Sequence, residues 1–307
     1  MSRSRSPHRE VATVSADVAL AHRVRKSYEP PRQSKFRVSA ILRFVRKDGS
    51  TDYMEAVNAE PFDANIRGAI CAERVALCRF QKAELSQGSR ITRLVCATDA
   101  PEPIYPGPLC REFLTATCDP TVEIVATGSD EKWQTQPLRE LLPLPSLYRL
   151  LDSDAAKGKA ATLGATATQP EDARFVTAYQ EAVGMVRKQS KQTAIYPLVF
   201  AAAVQFADGR ICTSCELKGI EYGCTVDAVS LLMPELLRGR EGGSRATVII
   251  QVDNYGLAHA PFAAARSLLI EHGFGDVLLT AHCDDGKWAK AITAQESLPH
   301  ADFLSIF

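Results

Sequence analysis

The chain has 307 residues, enough for two domains at about 150 residues each. Thirty-six basic and 36 acidic side chains leave no formal net charge, so no global field draws the chain to nucleic acid or to an anionic membrane. With 46% hydrophobic and 23% charged residues, the composition excludes a mostly disordered chain, a fibrous protein and a disulfide mini-protein.

The first nine residues carry Arg3, Arg5 and Arg9 and no acid, and residues 1–14 read as a flexible leader. An Arg/Ser-rich leader is compatible with mitochondrial import, but a cytoplasmic tail is the simpler expectation. Residues 15–28 space their apolar positions for a helix capped by Ser15. A strand over 36–46 ends at the turn Lys47-Asp48-Gly49-Ser50 and is followed by a partner strand over 53–58. A helix is expected over 69–86, a buried strand over 91–98, a Pro-rich loop over 101–108, a short helix from Leu109 and a strand over 121–127. Residues 152–172 hold no aromatic and one Leu, and read as a linker. Beyond it the order recurs: helix 173–189, strand 196–206, turn 207–209, helix 224–238, strand 246–252, helix 261–272 and strand 276–281. The alternation predicts an α/β class with one domain over 15–151 and a repeat of it over 173–307.

Nine cysteines, an odd number at low density, argue for reduced thiols and an intracellular setting. No apolar run reaches the roughly 20 residues of a membrane span. The chemistry-bearing pattern is Cys71-Ala72-Glu73, followed behind a Pro loop by Cys110. A zinc deaminase takes a thiolate or imidazole at one helix start, two thiolates at another, and a Glu two residues after the first ligand that moves protons without binding metal. Helix N-termini also suit thiolates, because their free N–H groups favour negative charge.

Around this pattern the chain resembles the cytidine deaminase family. Residues Tyr28 to Ala40, with Ser34, Phe36 and Val38, look like its entry motif, and Asn58-Ala59-Glu60 like its ribose-binding N-x-E. Cys71-Ala-Glu-Arg74 looks like CAER, the stretch Ile104 to Glu112 like the second cysteine loop, and Leu138 to Pro143 like the closing LxELLP. The resemblance implies a three-layer α/β/α fold, duplicated in tandem, and hydrolytic deamination of cytidine or deoxycytidine in pyrimidine salvage. It implies Cys71 and Cys110 as ligands of one Zn2+, Glu73 as the proton shuttle, and Arg74 as the charge behind the thiolates. Asn58 and Glu60 would hold the sugar, Phe36 would pack on the nucleoside, and the protein would form a homodimer.

One position departs. Gly107 stands where the family has the first Cys of Pro-Cys-x-x-Cys, leaving two thiols where catalytic zinc takes three protein ligands and a water. Cys78 is about 10 Å of helix rise from Cys71; Cys96 and Cys118 are candidate substitutes that read more simply as small buried hydrophobes. In the repeat, Cys224 stands 153 residues after Cys71, and Pro261 stands 155 after Pro106. On that alignment Val226, Phe262 and Ala265 replace the Glu and both ligands of the second loop, so the repeat keeps the frame and loses the chemistry. The competing readings are a pseudoenzyme that binds nucleoside or acts as a scaffold, favoured by Gly107, and a deaminase of RNA or DNA, disfavoured by the neutral charge. Cys212-Thr-Ser-Cys215 reads as structural thiols, His259 as a surface-loop residue, and Trp133 and Trp288 as packing residues.

Overall fold

The computed structural model describes residues 13–61, 69–188, 198–218 and 225–301. Most of the leader, Glu221 and Cys224 lie outside the described residues. The chain divides into two compact units, Met1–Glu140 and Leu141–Phe307.

In the first unit, α1 (Val14–Ser27) starts two residues earlier than the Ser15 cap implies, because the Thr13 hydroxyl accepts from Ala16 N. It is followed by β1 (Val38–Val45), β2 (Thr51–Val57), α2 (Ala72–Ala83), β3 (Arg90–Thr98), α3 (Pro108–Thr115), β4 (Glu123–Thr127) and β5 (Trp133–Pro137). The one-turn helix α4 (Leu138–Leu141) lies where the chain passes between units. The sheet order is β2-β1-β3-β4-β5, antiparallel throughout except for the parallel β3–β4 pair. Side chains alternate across it. Ile41, Val95, Ala97 and Val125 meet Val18, Ala21 and Val24 of α1. On α2, Phe80 sets its ring edge-on against Phe44 at 5.3 Å, next to the β1 positions that alternate with Ile41.

The second unit opens with α5 (Ser153–Gly164), which occupies the Ala/Thr/Gly stretch read as a linker; Asp152 caps it, and Ala160 packs with Leu147 and Leu257. Then come α6 (Ala173–Lys188), β6 (Phe200–Phe206), β7 (Ile211–Cys215), a 3-10 turn at Ser230–Leu232, α7 (Met233–Glu241), β8 (Ala246–Asp253), β9 (Ala258–His259), α8 (Ala263–Glu271), β10 (Leu278–Leu279) and β11 (Ile292–Thr293). Read from the other edge, the sheet runs β7-β6-β8-β10-β11, again with one parallel pair, β8–β10, in the third and fourth places. Phe175, Ala178 and Ala182 of α6 cover one face, and Leu232, Leu236 and Leu269 cover the other.

Strand order, strand direction and layers coincide, so the α/β fold is duplicated. Even the irregularities match. β1 shifts register between Arg43 and Phe44, and β6 between Gln205 and Phe206. The segment after β2 is held because Val38 N donates to Asn58 Oδ1 at 2.8 Å; after β7, Phe200 N donates to Glu216 Oε1 at 2.8 Å. Behind the proline loops, Arg111 Nε donates to Pro106 O and Arg266 Nε to Pro261 O, each at 2.7 Å.

These registers correct the alignment of the repeat. Ala59 bridges Ile70, and Leu217 bridges Val226, so Asp227 rather than Cys224 takes the place of Cys71. Val229 then stands for Glu73, and both it and Ala265 are buried in the apolar core. The helix expected from residue 224 gives way to the 3-10 turn at Ser230 and α7 from Met233, and ahead of them Asp227 accepts from Ser230 N at 2.8 Å.

Arg266 is buried and also donates to the carbonyls of Pro143, Leu144 and Ser297 at 2.6–2.8 Å. Arg266→Ala removes four hydrogen bonds to carbonyls, and at about 1 kcal/mol each we expect it to lower unfolding free energy by about 3–5 kcal/mol. Denaturant titration checks this; a loss below about 1 kcal/mol would be that of an ordinary surface substitution and would contradict the assignment.

Candidate metal centre

Cys71 is the N-cap of α2, extended in backbone and making no side-chain capping bond, so its thiol is left for other partners. Glu73 lies in the first turn of the same helix. Cys110 lies in the first turn of α3, whose N-cap is Gly107. The bridge between Ala59 and Ile70 ties the Asn58–Glu60 segment beside the start of α2. Two helix N-termini therefore meet with two thiols and a carboxyl between them, an arrangement that favours anions.

Among the described residues, Cys71, Glu73 and Cys110 place their ligand atoms within 4.8 Å of one another. Arg74 Nη2 reaches Cys71 Sγ at 3.8 Å, and its guanidinium lies over the Phe113 ring at 5.9 Å. The Cys110 thiol donates to Cys71, which lowers the pKa of Cys71 with help from Arg74, while Cys110 as donor is raised. Burial pushes Glu73 up to about 7, reinforced by negative charge on Cys71. Glu73 Oε2 is buried and has no hydrogen-bond partner. These donors fit a zinc ion: two thiols and a carboxylate match its ligand preferences.

The substitute thiols do not join them. Cys96 and Cys118 are buried, Cys78 is exposed, and none belongs to the group of donors within 4.8 Å. Cys96 is close enough that charge on Glu73 and Cys71 adds to the burial raising its pKa. A Cβ at Gly107 would meet nothing within 4 Å, so the missing side chain leaves room there.

The other expected site residues form a second group. Asn58 Oδ1 accepts from Val38 N, and its Nδ2 donates to Phe36 O at 2.9 Å. Glu60 accepts from Gln33 N at 3.2 Å, Ser34 N at 3.0 Å and the Ser34 hydroxyl. Phe36 N in turn donates to Ser34 Oγ at 3.1 Å. Both polar residues thus brace the loop before β1, a role that the motif alone did not reveal.

In the second unit, Cys212 packs against one face of its sheet and Cys215 against the other, so the CxxC spacing does not bring the thiols together. His259 is buried rather than on a surface loop; its Nε2 pairs with Asp253 Oδ2 at 2.9 Å, and Tyr148 donates to the same oxygen. Phe262, at the place of Gly107, packs edge-on against Phe200 at 5.2 Å. Trp288 does pack, against Tyr179 at 5.5 Å, whereas Trp133 is exposed on β5.

The chain is 32% identical over 78 residues to cytidine deaminases of two Mycobacterium tuberculosis strains, CDC 1551 / Oshkosh and ATCC 25618 / H37Rv. Over this stretch the chain is similar to cytidine deaminases. The match covers 25% of this chain and 57% of those proteins, about half their length. No family model matches. Among solved structures, the cytidine deaminase from Burkholderia pseudomallei aligns with 44% of this chain and all of its own, at 26% identity and TM-score 0.36. That from Mycobacterium leprae aligns with 42% and 99%, at 26% identity and TM-score 0.34. No helix among the described residues is long and apolar enough to cross a membrane.

Metal-free protein carries a pH signature of Glu73. The folded state holds this proton up to about 7, whereas an ordinary glutamate releases it near 4.5. Between those values the native state binds more protons, so this group costs stability as pH rises. We expect chelator-treated Glu73→Gln to gain on the parent over that window by on the order of 3 kcal/mol. Denaturant midpoints at a series of pH values measure the difference, and a flat one contradicts the burial assigned to the carboxyl.

Proposed function

We propose that the first unit is a hydrolytic deaminase site for cytidine or deoxycytidine, with Cys71 and Cys110 as zinc ligands and Glu73 as the proton carrier. The observation that supports it best is the buried Glu73 carboxyl beside two thiols at converging helix starts, with one oxygen unpartnered and a pKa near 7. A zinc ion held there would supply Lewis acidity that makes water a nucleophile at neutral pH. Glu73 takes a proton from the attacking water as the water oxygen bonds to C4 of the pyrimidine, and passes it to N3. It then takes the second proton from the new C4 hydroxyl and delivers it to the exocyclic nitrogen; the C4–N bond breaks, ammonia leaves, and uridine remains. Arg74 balances thiolate charge from behind Cys71. Asn58 and Glu60, braced against the Phe36 loop, face the sugar hydroxyls in this reading, and Phe36 packs on the nucleoside. We further propose at most one zinc per chain, because Val229, Phe262 and Ala265 stand for Glu73, Gly107 and Cys110 in the repeat. A homodimer, a cytoplasmic setting and a nucleoside rather than a nucleic-acid substrate complete the proposal.

A second reading is favoured by one observation. Gly107 supplies no donor at the third ligand position, as expected of a pseudoenzyme that binds nucleoside or acts as a scaffold.

Zinc content and the absorbance change from cytidine to uridine, measured on one preparation, separate the two. We expect about one zinc per chain with uridine formed, and loss of both in Cys71→Ser. Glu73→Gln should lower turnover by about 10²–10⁴-fold. Zinc-loaded protein that forms no uridine supports the second reading, and zinc unchanged in Cys71→Ser refutes the ligand assignment.

A further inference from the structure

We propose that Glu73 is itself the third metal ligand of the resting site, in the place left by Gly107. The inference rests on the metal-centre reading above and changes the role of its carboxylate. Tetrahedral zinc, with bonds of about 2.3 Å to sulfur and 2.1 Å to oxygen, sets neighbouring ligand atoms roughly 3.6–3.8 Å apart. The Cys71, Glu73 and Cys110 donors already lie within 4.8 Å of one another. Among the described residues no fourth Cys, His, Asp or Glu belongs to this group.

Three further observations converge. Glu73 is 5% exposed, and its Oε2 has no hydrogen-bond partner, so an ionised carboxylate there would be costly without a cation. Two thiolates and a carboxylate carry three negative charges, which a divalent ion and the neighbouring Arg74 guanidinium balance. Gly107 contributes no donor, and among the described residues, apart from Gly107 and its two chain neighbours, no atom lies within 4 Å of where its Cβ would sit.

A carboxylate engaged as a ligand is not available to carry a proton. Turnover in this chain therefore depends on release of Glu73, and a thiol at position 107 frees it. The test compares zinc affinity, by competition with a chromophoric chelator, in the parent chain, Glu73→Gln, Gly107→Cys and the double variant. We expect Glu73→Gln to weaken zinc by about 100-fold in the parent background, the upper end of what even an indirect ligand partner is worth, and by less than about threefold beside Cys at 107. Cobalt(II) loading gives a second readout: the d–d spectrum should move with Glu73→Gln in the parent and stay fixed in the Gly107→Cys background. Gly107→Cys alone should bind zinc more tightly and deaminate faster.

Equal effects of Glu73→Gln in both backgrounds, or no effect in the parent, overturn the ligand role and leave the metal centre standing. A parent chain that takes up no metal while Gly107→Cys does so also overturns it. If Cys71→Ser leaves affinity unchanged, the metal-centre reading itself fails. Thermal melts of each variant separate these results from misfolding.

Discussion

The arginine behind each proline loop is the contact on which the rest of the architecture depends. A guanidinium buried under a helix start must find acceptors, and Arg111 and Arg266 find theirs first in the carbonyl five residues back. That bond fixes where the loop turns into the helix, and therefore where the residue at the helix's first turn stands. In one unit that residue is Cys110; in the other it is Ala265, buried in apolar core. The arginine keeps its bond where Val229 and Ala265 stand in place of the carboxyl and the thiol, so its work is architectural. The donor cluster of the first unit is laid over a frame that holds without it.

The two units show alternative ways of filling the same space. Where the first has a thiol, a carboxyl and a glycine, the second has Asp227, Val229 and Phe262. Asp227 turns its carboxylate to its own helix start, bonding Ser230 N and Oγ. Phe262 closes on Phe200, whose ring also meets His259. The first unit leaves Glu73 Oε2 unpaired and a Cβ-sized space open; the second pairs Tyr148 and His259 with Asp253 and sets Val229 and Ala265 in apolar core. Low dielectric makes the first arrangement costly and the second stable.

Much of the fold was legible because strands alternate and helices carry a 3.6-residue period, and the Cys71-Ala72-Glu73 pattern was legible because its spacing along one helix start is short. The features that escaped have physical reasons. α5 packs through Ala160 and Leu163, and small side chains leave almost no periodic signal. β5 is an edge strand whose Trp133 and neighbouring polar residues face solvent, so nothing in it alternates as a core strand does. The repeat was misaligned by three residues because a cysteine was matched to a cysteine, whereas backbone pairing between Leu217 and Val226 decides the register. The roles of Asn58 and Glu60 in bracing the loop before β1 depend on contacts between residues 20 and 26 positions apart, which no local motif encodes.

Gly107 has a bearing beyond the local chemistry. Its backbone, at φ −62° and ψ 164°, is one that any L-amino acid adopts, and the space at its Cβ is clear. Nothing in the conformation of the loop requires glycine. Glycine and cysteine codons can differ by one nucleotide, so the two states of this site are neighbours in genetic distance as well as in shape. A lineage could pass between them in either direction without rebuilding the loop, the helix or the core beneath it.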